Sequence, residues 1–183
     1  MPRCRPVLSI AAPALCGLLA TTGVAAATHA PTPVRPVSAE VYSGRWYEIA
    51  RTPNRTQKDC QAPVTEFQKL AGGDFIASET CHRGAPDGPV KVMRARARII
   101  SPGDNTRFRM SFLGGLIHQE YWVLDHAGDD SWLIMGTPGG NYVWLLARRP
   151  ALSPAALASA TARVTAMGYA AARLIFPGQA SNG

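Results

Sequence analysis

Cys60, Cys81, Glu48, Glu79 and four histidines carry most of the reactive chemistry in this chain. Two cysteines in an exported protein favour a disulfide over a pair of free buried thiols. A Cys60–Cys81 bridge would close a loop of about 20 residues, worth roughly 3 kcal/mol in the chain-entropy picture. It would also remove the only mature thiols that could act as nucleophiles. Glu48 and Glu79 could share the interior, but their spacing alone licenses no acid–base pairing. His29, His82, His118 and His126 lack the His-x-x-x-His spacing of a metal site, so no metal is expected. His126 and Asp129 could meet around a turn as an exposed pair. There is no Gly-x-Ser-x-Gly elbow and no phosphate-binding glycine loop. "GGN" at 139–141 reads as a hairpin turn. No cofactor is expected.

The N-terminus reads as a targeting signal. Arg3 and Arg5 form a short basic region, residues 7–24 are uncharged and apolar or small, and Ala25-x-Ala27 offers a cleavage site. The stretch approaches membrane-spanning length, but Pro13, Gly17, Gly23 and many alanines favour cleavage over anchoring. Cys16 invites lipidation, yet Leu15 stands where such a site wants a small residue. The expected product is therefore exported, periplasmic or secreted, in preference to lipid-anchored in the outer membrane. Cys60 and Cys81 are the two of four cysteines that survive cleavage. The formal charge of +7 falls with the loss of Arg3 and Arg5, and the remainder is too weak to imply nucleic acid. A monomer or homodimer is expected.

Residues 28–40 are proline-rich and read as an arm or linker. Short segments follow, each bounded by Gly, Pro, Asn or Asp. Strands are expected at 45–51, 63–70, 75–82, 90–100, 106–113, 117–126, 131–136 and 142–149. Pairing across "AGGD" brings Cys60 near Cys81. The period then changes. Ser153 reads as a helix N-cap, Pro154 as the first helical residue and Gly168 as the stop, giving a helix over 153–167. Leu157, Ala160, Val164 and Met167 recur at helical spacing. Residues 173–176 read as a short last strand, and 178–183 as a tail. Eight strands in steady succession predict an all-β, up-and-down antiparallel barrel, which leaves no open edges. The helix would pack outside, and the barrel domain would span 41–177.

Alternation assigns the faces. Phe108, Met110 and Phe112 share one face of their strand, and Arg107, Arg109 and Ser111 the other. Burying unpaired arginines is costly, so the aromatic side points inward. By the same reasoning Ala95 and Ala97 face in, while Arg94, Arg96 and Arg98 face out. Five arginines then share an outer patch. It reads first as a solvated face and second as a peripheral contact with an anionic membrane. Large and very small inward residues are mixed, and an eight-stranded barrel can either fill with side chains or hold one small ligand.

"GRWYEIAR", "YWVLD", "YVWLLARRP" and the capped helix together resemble the lipocalins, most of all the bacterial and apolipoprotein D-like branch. "NRTQKDC" and "SETC" resemble exported bacterial members that carry a disulfide. The resemblance covers about residues 41–177. It implies that Gly44 and Trp46 open the first strand and that Arg148 stacks on Trp46 at the closed end, a cation–π contact of ~0.5–2 kcal/mol. Asp125 alone matches the middle signature, where Leu124 replaces the usual threonine. The resemblance also implies a small hydrophobic ligand, such as a fatty acid or lysophospholipid, for storage, transport or envelope maintenance. Phe75, Glu79, Phe108, Met110, Phe112, Tyr121, Tyr142, Trp144 and Leu146 are the expected pocket residues. The alternatives are a lipid-modifying enzyme using an inward carboxylate, and a haem or pigment binder using His82 or His118.

Overall fold

The computed structural model describes Met1 and residues 29–180. The rest of the expected leader at 1–27, with Cys16, and the last three tail residues lie outside the described residues. Eight strands follow one another: β1 (Gly44–Arg51), β2 (Cys60–Lys69), β3 (Asp74–Arg83), β4 (Val90–Ile99), β5 (Arg107–Phe112), β6 (Ile117–His126), β7 (Trp132–Gly136) and β8 (Val143–Ala147). Each pairs antiparallel with the next, and β8 pairs back on β1 to close the barrel.

The alternation in β4 and β5 has its expected consequence. Ala95, Ala97, Phe108 and Met110 are buried inside, while Arg94, Arg96, Arg98 and Arg109 are exposed. The arginine patch is partly neutralised, however. Asp74 accepts from Arg96 and from Arg98, each at 2.8 Å, and Arg107 lies 4.3 Å from the Trp122 ring centroid. Glu120 stands opposite Arg109 in register.

Alternation fades in β6, β7 and β8 because both faces are covered. Val123, Leu133, Met135 and Leu146 belong to the interior cluster. Leu124, Ile134, Val143 and Leu145 belong to an outer cluster beneath the helix. That helix, α1 (Pro154–Ala166), is N-capped by Ser153, whose Oγ accepts from the Ala156 N–H at 3.2 Å. It lays Ala160 and Val164 on the outer cluster, with Leu157 and Met167 beside them.

The described part of the proline-rich arm is laid on the barrel. Backbone bonds run from Ala30 N–H to Pro138 O, Val34 N–H to Leu124 O and Val37 N–H to Asp104 O. Asp125 ties arm, barrel and helix together. Its buried carboxylate accepts from Arg35 at 2.9 Å and from Arg163 of α1. Burial opposes its charge, but Arg163, Arg35 and the His126 N–H outweigh that effect and hold its pKa below the usual aspartate value.

The expected last strand reduces to one bridge, Arg51 with Ile175, because Ala171–Arg173 forms a 3-10 turn instead. The tail stays on the barrel as far as residue 179: Gly178 N–H donates to Gln61 Oε1 and Gln179 Nε2 to Glu48 O. His126 meets Asp130 at 2.7 Å rather than Asp129, and it is buried rather than exposed.

Candidate functional site

One end of the barrel is plugged. The 3-10 turn Ala39–Tyr42 crosses it and buries Val41 and Tyr42. Trp46 is fully buried and its indole N–H donates to Val41 O at 2.9 Å. Arg148 stacks over Trp46 with its guanidinium carbon 3.8 Å from the ring centroid. Its Nη1 donates to Ser43 O at 2.7 Å and Arg45 O at 3.1 Å. Gly44 makes this approach with φ +66°, a conformation that side-chain-bearing residues rarely adopt.

Above that floor Tyr42 packs against Phe67, Phe75 and Phe108, with ring centroids 5.1–6.0 Å apart. This corrects two expected pocket residues. Phe75 and Phe108 are almost wholly buried in the aromatic plug and do not line the cavity. Tyr42 supplied the packing that sequence alternation could not, because it enters the barrel from outside the strands. Tyr142 is a third correction. It precedes β8, half-buried, with its ring centroid 6.0 Å from Trp144, and it is not in the cavity wall.

The cavity begins beyond the plug. Glu79, Met110, Phe112, Tyr121, Trp144 and Leu146 line it. Met93 and Met135, which the sequence reading missed, also line it, with Ala77 and Ala95 as the small residues. Met93 shares the parity of Ala95 and was therefore accessible to the same argument. The cavity measures about 50 Å³, well below the ~300–1,000 Å³ of a typical small-molecule pocket.

At the open end lies a buried polar cluster. The pairing of β1 with β8 shifts register between Glu48 and Ala50. The resulting bulge sends Ile49 and Ala50 to the outer cluster and returns Arg51 to the interior beside Glu48. Strict alternation would have set these two on opposite faces. Arg51 donates to Glu48, to Gln57 O at 2.7 Å and to Cys60 O at 3.1 Å. Gln57, on the β1–β2 loop, is buried at the centre. Its Nε2 donates to Glu48 Oε2 at 2.8 Å and to Glu79 Oε1 at 3.0 Å. Its Oε1 accepts from Trp144 Nε1 at 2.9 Å and from Asn54 at 2.7 Å.

These contacts set the protonation chemistry. Burial pushes Glu48 up to about 7, against the pull of Arg51 and with the help of Glu79. Burial also raises Glu79, opposed by Gln57, Lys91 and Arg51. Tyr121 is pushed up to about 12 by burial and by Glu79. The paired carboxylates thus do share the interior, joined by an amide that no periodicity marks.

Cys60 and Cys81 form a disulfide beside this cluster, joining β2 and β3 with Cα atoms 5.5 Å apart. Both sulfurs lie near Glu79, but bonded to each other they offer no thiolate to a metal. His82 and His118 do not face the cavity. His82 lies on the outer side of β3 and contacts Gly88 O, and His118 contacts Ser111 Oγ at 2.9 Å on the outer side of β5 and β6.

Three comparisons bear on this geometry. A family model described as a lipocalin-like domain matches residues 37–179. The chain is 24% identical over 152 residues to the outer membrane lipoprotein Blc of Vibrio cholerae, covering 80% of this chain and 86% of that protein. It is 26% identical over 134 residues to temperature-induced lipocalin-1 of Arabidopsis thaliana, covering 63% of this chain and 64% of that one. In three dimensions it is similar to insecticyanin of the tobacco hornworm Manduca sexta, with TM-score 0.64 at 16% identity over 84% of this chain and 90% of that one.

Proposed function

The chain belongs to the lipocalin family, whose members bind small hydrophobic ligands, and we propose that its upper barrel takes one such ligand, a single-chain lipid or similar amphiphile. The observation that carries this reading is the asymmetry of the barrel interior. An aromatic plug fills one half, and the other half is walled by a mixture of aromatic and flexible side chains around residual space. Three of the lining residues, Met93, Met110 and Met135, are unbranched thioethers that change rotamer at little cost. A lipid chain needs more than 50 Å³, so entry requires these methionines to swing aside and the Gln57 loop to lift.

The disulfide supports an exported, oxidising location, and among the described residues no helix is long and apolar enough to cross a membrane. We read the protein as an exported carrier, periplasmic or secreted, released from its leader. The enzymatic alternative would rest on Glu48 and Glu79. Both are held by the amide of Gln57, and the neighbouring cysteines are bonded to each other, an arrangement that favours holding a ligand over transforming it.

A steric test separates the cavity from the fold. Ala77 faces the cavity and is nearly fully buried. Ala77→Met should lower affinity for a neutral fluorescent probe such as N-phenyl-1-naphthylamine at least tenfold, while the far-ultraviolet circular dichroism stays that of a β-barrel. Unchanged affinity in a folded variant would place the ligand elsewhere.

A further inference from the structure

On the basis of that ligand-binding reading, we propose that the open end of the barrel selects an amphiphile with a cationic, hydrogen-bond-donating head, such as a primary alkylamine, over one with a carboxylate head. The acidic groups facing the cavity outnumber the buried cations beside them. Two carboxylates enter it, Glu48 from β1 and Glu79 from β3, against one buried guanidinium, Arg51. Arg51 commits Nη1 to Glu48 and Nη2 to Gln57 O and Cys60 O, and its buried Nε is left without a partner.

The elements packed around Glu79 leave it poorly served. From β2 it faces the disulfide sulfur of Cys60 at 4.0 Å, and from β6 Tyr121 lines the same cavity. From β4 the nearest cation is Lys91 at the rim, whose Nζ is donated to Thr56 O at 2.6 Å. The hydrogen bond that Glu79 does receive comes from Gln57 Nε2, which it shares with Glu48. A neutral amide therefore stands between two carboxylates, where an ammonium with three donors would satisfy both and supply the missing charge. A fatty acid entering tail-first would leave its carboxylate beside two others, and entering head-first would force a third into the cluster. The chain of either ligand would occupy the same methionine-lined wall.

The test uses the mature, oxidised, delipidated protein and three ten-carbon ligands: decylamine, decanol and decanoate. Each displaces N-phenyl-1-naphthylamine at pH 8, where the amine is cationic and the acid anionic. Decylamine should bind at least tenfold tighter than decanoate, with decanol between them. Glu79→Gln should reduce the amine-to-acid ratio below threefold, and Lys91→Met, which removes the opposing rim cation, should raise it. Decanoate binding as tightly as decylamine overturns the proposal, as does a ratio that survives Glu79→Gln in a folded variant. The wild-type ratio and Lys91→Met decide the matter if Glu79→Gln does not fold. Equal binding of all three ligands defeats the head-group selection alone, whereas displacement by none of them defeats the ligand-binding reading beneath it.

Discussion

At the scale of single residues, the two tryptophans with inward-facing rings do different work. Trp46 is the floor: fully buried, bonded to Val41 O and covered by Arg148. Its loss removes a large packed ring and leaves Arg148 without its platform. Trp46→Ala should cost about 3–5 kcal/mol, read as a lower urea midpoint, while Arg148→Met should cost less, about 1–2 kcal/mol, from the cation–π contact and two carbonyl bonds. A Trp46→Ala variant with wild-type stability would refute the floor role. Trp144, half-buried and bonded to Gln57, belongs to the cavity wall. Trp46 and Arg148 were legible in the sequence through their motif. Gln57 was not, because a loop glutamine carries no periodic signal and acquires its role only when β1, β3 and β8 converge around it.

At the scale of elements, the arm and α1 depend on one carboxylate. Asp125 sits in β6 with its side chain 1% exposed, and it accepts from Arg35 of the arm and Arg163 of the helix. Asp125→Asn removes the charge and leaves both arginines without it. Since Arg35 and Arg163 keep access to water, the expected cost is about 1–3 kcal/mol rather than the larger penalty of a sealed pair. The loss should be local. Amide exchange should accelerate in residues 30–37 and in α1 while β2 to β4 keep their protection, and uniform acceleration would show that Asp125 serves the whole barrel instead. The helix itself was readable from its cap, its proline and its 3.6 spacing. The docking of the arm was not, because backbone bonds such as Val34 N–H to Leu124 O join residues far apart in sequence.

At the scale of the whole molecule, closing the barrel forces acidic groups into two opposed behaviours. Asp74, Asp104, Asp125 and Asp129 all lie below their ordinary value of 3.8. Their stabilisation is complete above that value and is lost as pH falls through their lower folded values. Glu48 lies above its ordinary 4.5, at about 7, with Glu79 raised beside it. The contribution of Glu48 is complete below about 4.5 and is lost as pH rises through about 7. Thermal unfolding should therefore show a melting temperature that is highest near pH 4–5 and declines toward pH 8. Glu79→Gln should shrink that decline, because it removes one buried charge and relieves Glu48. A melting temperature that rises from pH 5 to 8 would contradict the burial of these carboxylates.

The order of eight strands, the inward faces of β4 and β5, the outer helix and the cysteine pair are all written locally. A period of two, a turn residue or a cap is decided by neighbours in the chain, so the sequence by itself determined them. The division of the interior was decided only by tertiary structure. Phe75 and Phe108 have the parity of pocket residues, but Tyr42 comes in from the 3-10 turn and packs them into a plug. Arg51 has the wrong parity for the interior, but the bulge after Glu48 turns it inward. Alternation specifies which side of a strand a residue takes. How far along the barrel axis the space is filled, and which charges meet there, depends on closure, bulges and loops that bring distant residues together.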